Sequence, residues 1–215
     1  MKNSIEDRLL AAQVAINNAL ADAGILSALS VFGYNESVLN TGKALYDELV
    51  DLVNSQKVEY GEQFEASAEL RTAWDVADAA YMISLKVARV AFRHDAKARA
   101  ALMLAGDRKQ SLSGWLQQAS AFYANLLSEA DLLTAMTQFG YDQAKLEAEQ
   151  TLVEAVAAAN LKQEKEKGEA QDATQERDAK LDELTTWMAD FRAIARVALE
   201  GHPQWLEKLG FGAVA

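Results

Sequence analysis

The chain has no cysteine, a single proline and two histidines among 215 residues, and each scarcity removes a class of structure or chemistry. Without cysteine there is no disulfide framework, no thiol nucleophile and no thiolate metal site. Pro203 is the one residue that no helix interior would accept. Neither His94 nor His202 has an acidic residue three or four positions before it. The Glu-x-x-His pairs that bind metals in helical bundles are therefore missing, and no metal or cofactor is expected. Two histidines give little material for a Ser-His-Asp arrangement, and no Gly-x-Ser-x-Gly elbow occurs. Thr41-Gly42-Lys43 lacks the upstream glycine of a phosphate-binding loop.

Basic charge is also scarce. Against 32 Asp and Glu stand 21 Lys and Arg, for a formal net charge of -11 and an isoelectric point near 4.7. A protein that tracks phosphates or lies on an anionic membrane needs a basic face, so neither nucleic acid nor membrane is an expected partner. The most apolar long stretch, Val76 to Phe92, includes Asp78, Lys86 and Arg89 and is too short and too charged to cross a bilayer. The segment MKNSIEDRLL has no basic stretch leading into an apolar run, so no secretory signal is read and a cytoplasmic location is expected.

What the chain does have is helix-forming material. Half of it is hydrophobic and a quarter charged, as in ordinary globular proteins, and Ala, Leu, Glu, Gln and Lys dominate. The expected fold class is all-α. Slid against itself by 107 positions, the chain matches without a gap: Phe32-Gly33-Tyr34 falls on Phe139-Gly140-Tyr141, and Ala88-Arg89-Val90-Ala91 falls on Ala195-Arg196-Val197-Ala198. From Ser4 to Arg93, 24 of the 90 aligned positions are identical. This pattern reads as a tandem duplication. It predicts a helical bundle of two pseudo-symmetric repeats, residues 1–107 and 108–215, packed together as one body.

Each local signal can be checked twice. Ser4, with Asp7 three residues on, is a good N-cap for a first helix, and Ser111 or Ser113 serves the second copy. That helix carries Leu9, Leu10, Ile16, Leu20 and Ile25 at helical spacing. Gly33 and Gly140 sit where a left-handed C-cap residue is wanted, and Asn35 and Asp142 follow as N-caps, so Phe-Gly-Tyr reads as a tight helix corner. A second helix is expected over 36–61 and 143–168 and a third over 67–93 and 174–200. Gly61 and Gly168 are the only punctuation between them, and a helix can continue through a lone glycine; Ser67 and Thr174, at matching positions and able to cap the third helix, favour a hairpin over one 58-residue helix. A short helix closes each copy, near Asp95–Ala105 and Pro203–Leu209. Each repeat thus has three long antiparallel helices and a short one.

The candidate functional residues are few. Arg89 and Arg196 recur within Ala/Val-rich turns, where an arginine must find a carboxylate or carbonyl partner, or else bind an anion. Tyr60 and Phe64 stand at the expected hairpin tip of the first copy, where the second has Lys167 and Gln171 in the mixed-charge run Lys162 to Lys180. They are candidates for an interaction surface. Trp74, Trp115, Trp187 and Trp205 read as packing anchors. With no catalytic pattern, the favoured reading is a non-enzymatic interaction or structural protein with a homo-oligomeric or protein partner. The alternative is a small-ligand carrier with a cavity between the repeats, and a carboxylate-dependent metal enzyme ranks third.

Overall fold

The computed structural model describes residues 4–212, and among them every regular element is helical. The order is α1 (Ile5–Ala21), α2 (Ala23–Ser30), α3 (Glu36–Ala91), α4 (Ala96–Ala101), α5 (Leu112–Ser128), α6 (Ala130–Thr137), α7 (Gln143–Ala198) and α8 (Pro203–Lys208). The elements recur at one offset: α1 and α5, α2 and α6, α3 and α7, and α4 and α8 begin and end 107 positions apart.

The caps are where local chemistry wants them. Ser4 Oγ accepts from the Asp7 amide at 3.1 Å while Asp7 Oδ2 accepts from the Ser4 amide at 3.0 Å, a reciprocal capping box. Ser111 caps α5 by accepting from the Gly114 amide. Gly33 and Gly140 adopt φ of +89° and +79°, the left-handed region that stops a helix. Asn35 Oδ1 and Asp142 Oδ1 then accept from the Val38 and Lys145 amides at the starts of α3 and α7.

Two expectations fail. The first long helix is two helices, α1 and α2, bent by 94° at Asp22. Asp22 ends α1 and caps α2, accepting from the Gly24 and Ile25 amides, which offers those donors an alternative to continued α1. Lys208 and these amides hold the Asp22 carboxyl below its ordinary range. Glu129 stands at the matching break between α5 and α6, with the same extended backbone and no side-chain cap bond.

The second failure is the hairpin. The expected second and third helices of each copy are one continuous helix of 56 residues, in both α3 and α7. A lone helical glycine costs only about 1 kcal/mol, and Gly61 and Gly168 carry it without a turn. Ser67 Oγ and Thr174 Oγ1, instead of capping, bond back to the carbonyls of Gln63 and Ala170 four residues earlier. The inward positions keep a seven-residue period throughout: Gly42, Leu49, Gln56, Gln63, Leu70, Ala77 and Ser84 in α3 are all buried or partly buried. The polar run Lys162 to Lys180 is accordingly the middle of a helix, not a tip.

The chain forms two compact units: unit 1 is Met1–Tyr60 with Glu169–Ala215, and unit 2 is Gly61–Gly168. Residue 107 lies inside unit 2, so the packing units and the sequence repeats partition the chain differently. Unit 1 gathers α1, α2, the first part of α3, the last part of α7, and α8. Its core holds Ile25, Leu29, Leu39, Phe191, Leu199 and Leu209, with a second cluster of Ile16, Leu49, Leu181 and Leu184. The long-helix segments run antiparallel, with Lys180 bonded to Glu48 and Arg177 to Gln56. Asn18 Nδ2 fastens α8 by donating to the Lys208 carbonyl at 2.6 Å.

Unit 2 holds the last part of α3, then α4, α5, α6 and the first part of α7. Its core is built on Tyr81, Leu85, Phe92, Phe122, Tyr123 and Leu146. Lys162 and Glu69 join its two long-helix segments, and Asn125 Nδ2 donates to the Ala101 carbonyl at 2.8 Å, the counterpart of the Asn18 bond.

Because nothing lies within 4 Å of a Cβ built at Gly61 or Gly168, alanine fits both sites. Gly61→Ala and Gly168→Ala should each stabilise the protein by about 0.5–1 kcal/mol in urea unfolding, whereas a turn at either glycine would make the change destabilising.

Candidate functional site in unit 2

Tyr81 is the hub of unit 2. It faces the rings of Phe122 at 5.3 Å, Trp115 at 6.1 Å and Tyr123 at 6.2 Å, edge-on or tilted, and such pairs add about 0.5–1.5 kcal/mol each beyond burial. Polar groups thread this aromatic core. Trp115 Nε1 donates to Asp78 Oδ1 at 2.7 Å. Arg108 Nη1 donates to the Tyr81 hydroxyl at 3.0 Å, and its Nη2 donates to the Met103 carbonyl at 2.7 Å. Deeper in, Glu149 Oε2 on α7 accepts from the Ser84 hydroxyl of α3 and from the Tyr123 hydroxyl of α5, the latter at 3.0 Å. Burial and the Glu149 charge push the Tyr123 hydroxyl well above the ordinary tyrosine range.

The same register positions in unit 1 are apolar. Tyr123, Glu149 and Ser84 correspond at the 107 offset to Ile16, Gly42 and Phe191. There the indole of Trp187 takes the space: a Cβ at Gly42 would come within 2.3 Å of it. One packing site is therefore filled in two ways, by a hydrogen-bonded trio in unit 2 and by aromatic-on-glycine packing in unit 1. Chemically, the trio offers one carboxylate and two hydroxyl donors that tie α3, α5 and α7 together. No imidazole is part of it: His94 lies exposed beyond α3, and His202 stacks on Trp205 at 4.1 Å in unit 1.

The outer face of the same α3 segment is unusual in a different way. Val76, Ile83 and Val90 recur every seven residues and stay 50%, 55% and 51% exposed. Ala79 is exposed beside them, while Ala80 and Val87 line the inner flank, half-buried. At 3.6 residues per turn these side chains form one stripe along the helix. The corresponding residues of α7 in unit 1 are Glu183, Asp190 and Val197, all exposed.

The residues singled out from sequence are dispersed. Arg89, in unit 2, is half-buried and its Nε donates to the Leu104 carbonyl at 3.2 Å. Arg196, in unit 1, is exposed. Tyr60 and Phe64 sit mid-helix in α3, 41% and 73% exposed; the Tyr60 hydroxyl lies 3.3 Å from Thr174 Oγ1 within unit 1, and Phe64 belongs to unit 2. Two solvent-open grooves mark unit 1. One, of about 580 Å³, is lined by Asn18, Asp22 and Lys208, and the other, of about 570 Å³, by Leu45, Asp182, Trp187 and Asp190.

Neither the Glu149 trio nor the Val76–Val90 stripe was picked out from sequence. Both carried one signal there: positions where the two copies differ in polarity at matching inward or outward register. No protein-family model, curated protein or solved structure matches the chain.

The raised Tyr123 value fixes a pH dependence. The folded state favours the neutral hydroxyl, so its contribution is complete below the unfolded tyrosine value near 10.0 and falls as pH rises beyond it. Tyr123→Phe should cost about 1 kcal/mol in urea unfolding at pH 7, and the difference from the native protein should shrink above pH 10 by up to about 1.4 kcal/mol per pH unit.

Proposed function

We propose that the chain is a non-catalytic interaction protein, built by tandem duplication, that docks a polypeptide partner on the outer face of α3 in unit 2. The observation that carries this reading is the contrast at one fold position: Val76, Ile83 and Val90 in one unit against Glu183, Asp190 and Val197 in the other. The fold evidently accepts charge there, so the apolar stripe is not required by packing. Burying a half-exposed Val or Ile side chain on a partner gains on the order of 1 kcal/mol, and three in a row give a reason to keep them. The duplication is supported by the identities at the 107 offset and by the matching bounds of all four helix pairs. It explains how one copy could specialise while the other preserved the scaffold. The Glu149 trio draws on both copies and distinguishes unit 2 instead, since buried polar networks give up stability that an apolar filling supplies and hold helices in one register.

A photoreactive amino acid placed at Ile83 should capture a polypeptide in cells of the source, several-fold more efficiently than one at the matching Asp190. Equal yields at the two positions, or no adduct at Ile83, would overturn the reading.

A further inference from the structure

We propose that the occupant of the α3 stripe is a second copy of this chain, docked antiparallel about a twofold axis beside Ile83. The inference rests on the interaction reading above and names its partner.

The argument is charge complementarity along the stripe. Around the helix, at 100° per residue, Asp75 and Lys86 project from one flank of the Val76–Ile83–Val90 line, and Arg93 follows in the turn two residues past the helix end; all three are exposed. The acid lies at the N-terminal end of the stripe and the two bases at its C-terminal end. Among the described residues none of the three has an ion-pair partner within the chain. An antiparallel helix pair sets each flank against its own copy, running the other way. Centred on Ile83, such a pair brings Val76 opposite Val90 of the second copy and sets Asp75 about 7–8 Å, along the axis, from the level of its Lys86, a gap that the long lysine side chain can cross, with the helix end that precedes its Arg93 on the other side. Twofold symmetry makes that contact twice. A parallel pair would instead set this flank against the opposite one, Ala73, Ala80 and Val87, which carries no charge to meet it. Ala79 and Ala80, near the centre, keep the surface low enough for two helix axes to approach to the usual 8–10 Å.

The stripe is only about 21 Å long, from Val76 to Val90, so the buried surface falls short of the ~1,200–2,000 Å² of standard interfaces. The dimer is therefore one that forms at on the order of 100 μM chain rather than at nanomolar concentration.

The absence of cysteine makes the test clean, because each introduced thiol is the only one present. At about 100 μM and under mild oxidation, Ile83→Cys should form a disulfide-linked dimer at least about tenfold faster than Asp190→Cys, its register counterpart in unit 1. Val76→Cys mixed with Val90→Cys should give the mixed dimer in excess over either self-linked dimer. Ile83→Asp, which copies the residue unit 1 carries at this place, should abolish the dimer in sedimentation while leaving the helical circular dichroism and its melting unchanged. Ile83→Cys linking no faster than Asp190→Cys, or Val76→Cys linking preferentially to itself, would overturn the antiparallel pair. The two levels of inference also separate: photo-adducts at Ile83 to another polypeptide and none to the chain itself overturn the second copy but spare the interaction reading, whereas no adduct at all overturns both.

Discussion

The seven-residue period of the long helices is the constraint on which the structure depends. An α3 or α7 of 56 residues must face the core of unit 1 over one stretch and that of unit 2 over the other, without a break to reset its phase. On a straight helix of 3.6 residues per turn, a stripe recurring every seven residues drifts around the axis by about 20° per heptad. The inward positions keep that seven-residue recurrence, the repeat of a coiled-coil seam, which stays inward only where the paired segments wind slightly about each other. The middle of that seam is polar. Gln56 is buried, donates to Thr174 and accepts from Arg177, a directional set of bonds that an apolar contact could not replace if register is to be held. The helix ends, caps and short helices elaborate this pair of segments.

The two units can be set against each other at the 107 offset. Where both carry the same residue, as in the Asn18 and Asn125 bonds to the carbonyls of the short helices, the residue serves the architecture. Where they disagree at one register position, the fold accepts both chemistries and the difference needs another cause. Met103 shows one backbone conformation kept by different residues, at a local cost. It sits at φ +48°, the place Gly210 fills with φ +71°, and Arg108 braces it through its carbonyl. Arg89 and Arg108 together bond carbonyls of the segment that follows α4, which gives Arg89 the carbonyl partner that its Ala/Val-rich turn requires.

Much of this was legible in the sequence, and the rest was hidden for identifiable reasons. Ser4, Gly33, Asn35 and their counterparts were readable because capping is local, with donor and acceptor within three residues. The break at Asp22 was not, since the α1–α2 stretch is periodic on both sides and contains no proline. The continuity through Gly61 and Gly168 was missed because glycine is a weak breaker, and only the helical geometry of Ser67 and Thr174 decides whether they cap or bond back. The Glu149 trio joins residues 84, 123 and 149 from three helices, a proximity that no local pattern encodes. The outward stripe was different: Val76, Ile83 and Val90 were visible as the most apolar stretch, and what sequence could not supply was which side of the helix faced solvent.

The partition of the chain between the units also sets an order of assembly. Unit 2 is one uninterrupted stretch, Gly61–Gly168, with bonds that reach 93 residues, from Glu69 to Lys162, so it can form as soon as those residues are available. Unit 1 must bring α1 and α2 together with the end of α7 and with α8 across that whole stretch, and its loop-closure entropy grows with the logarithm of the separation. On a ribosome, α1, α2 and the first part of α3 would wait, with Ile16, Leu29 and Leu39 uncovered, until Phe191 and Leu199 emerge. Unit 1 therefore closes last, around a stretch that can already be folded.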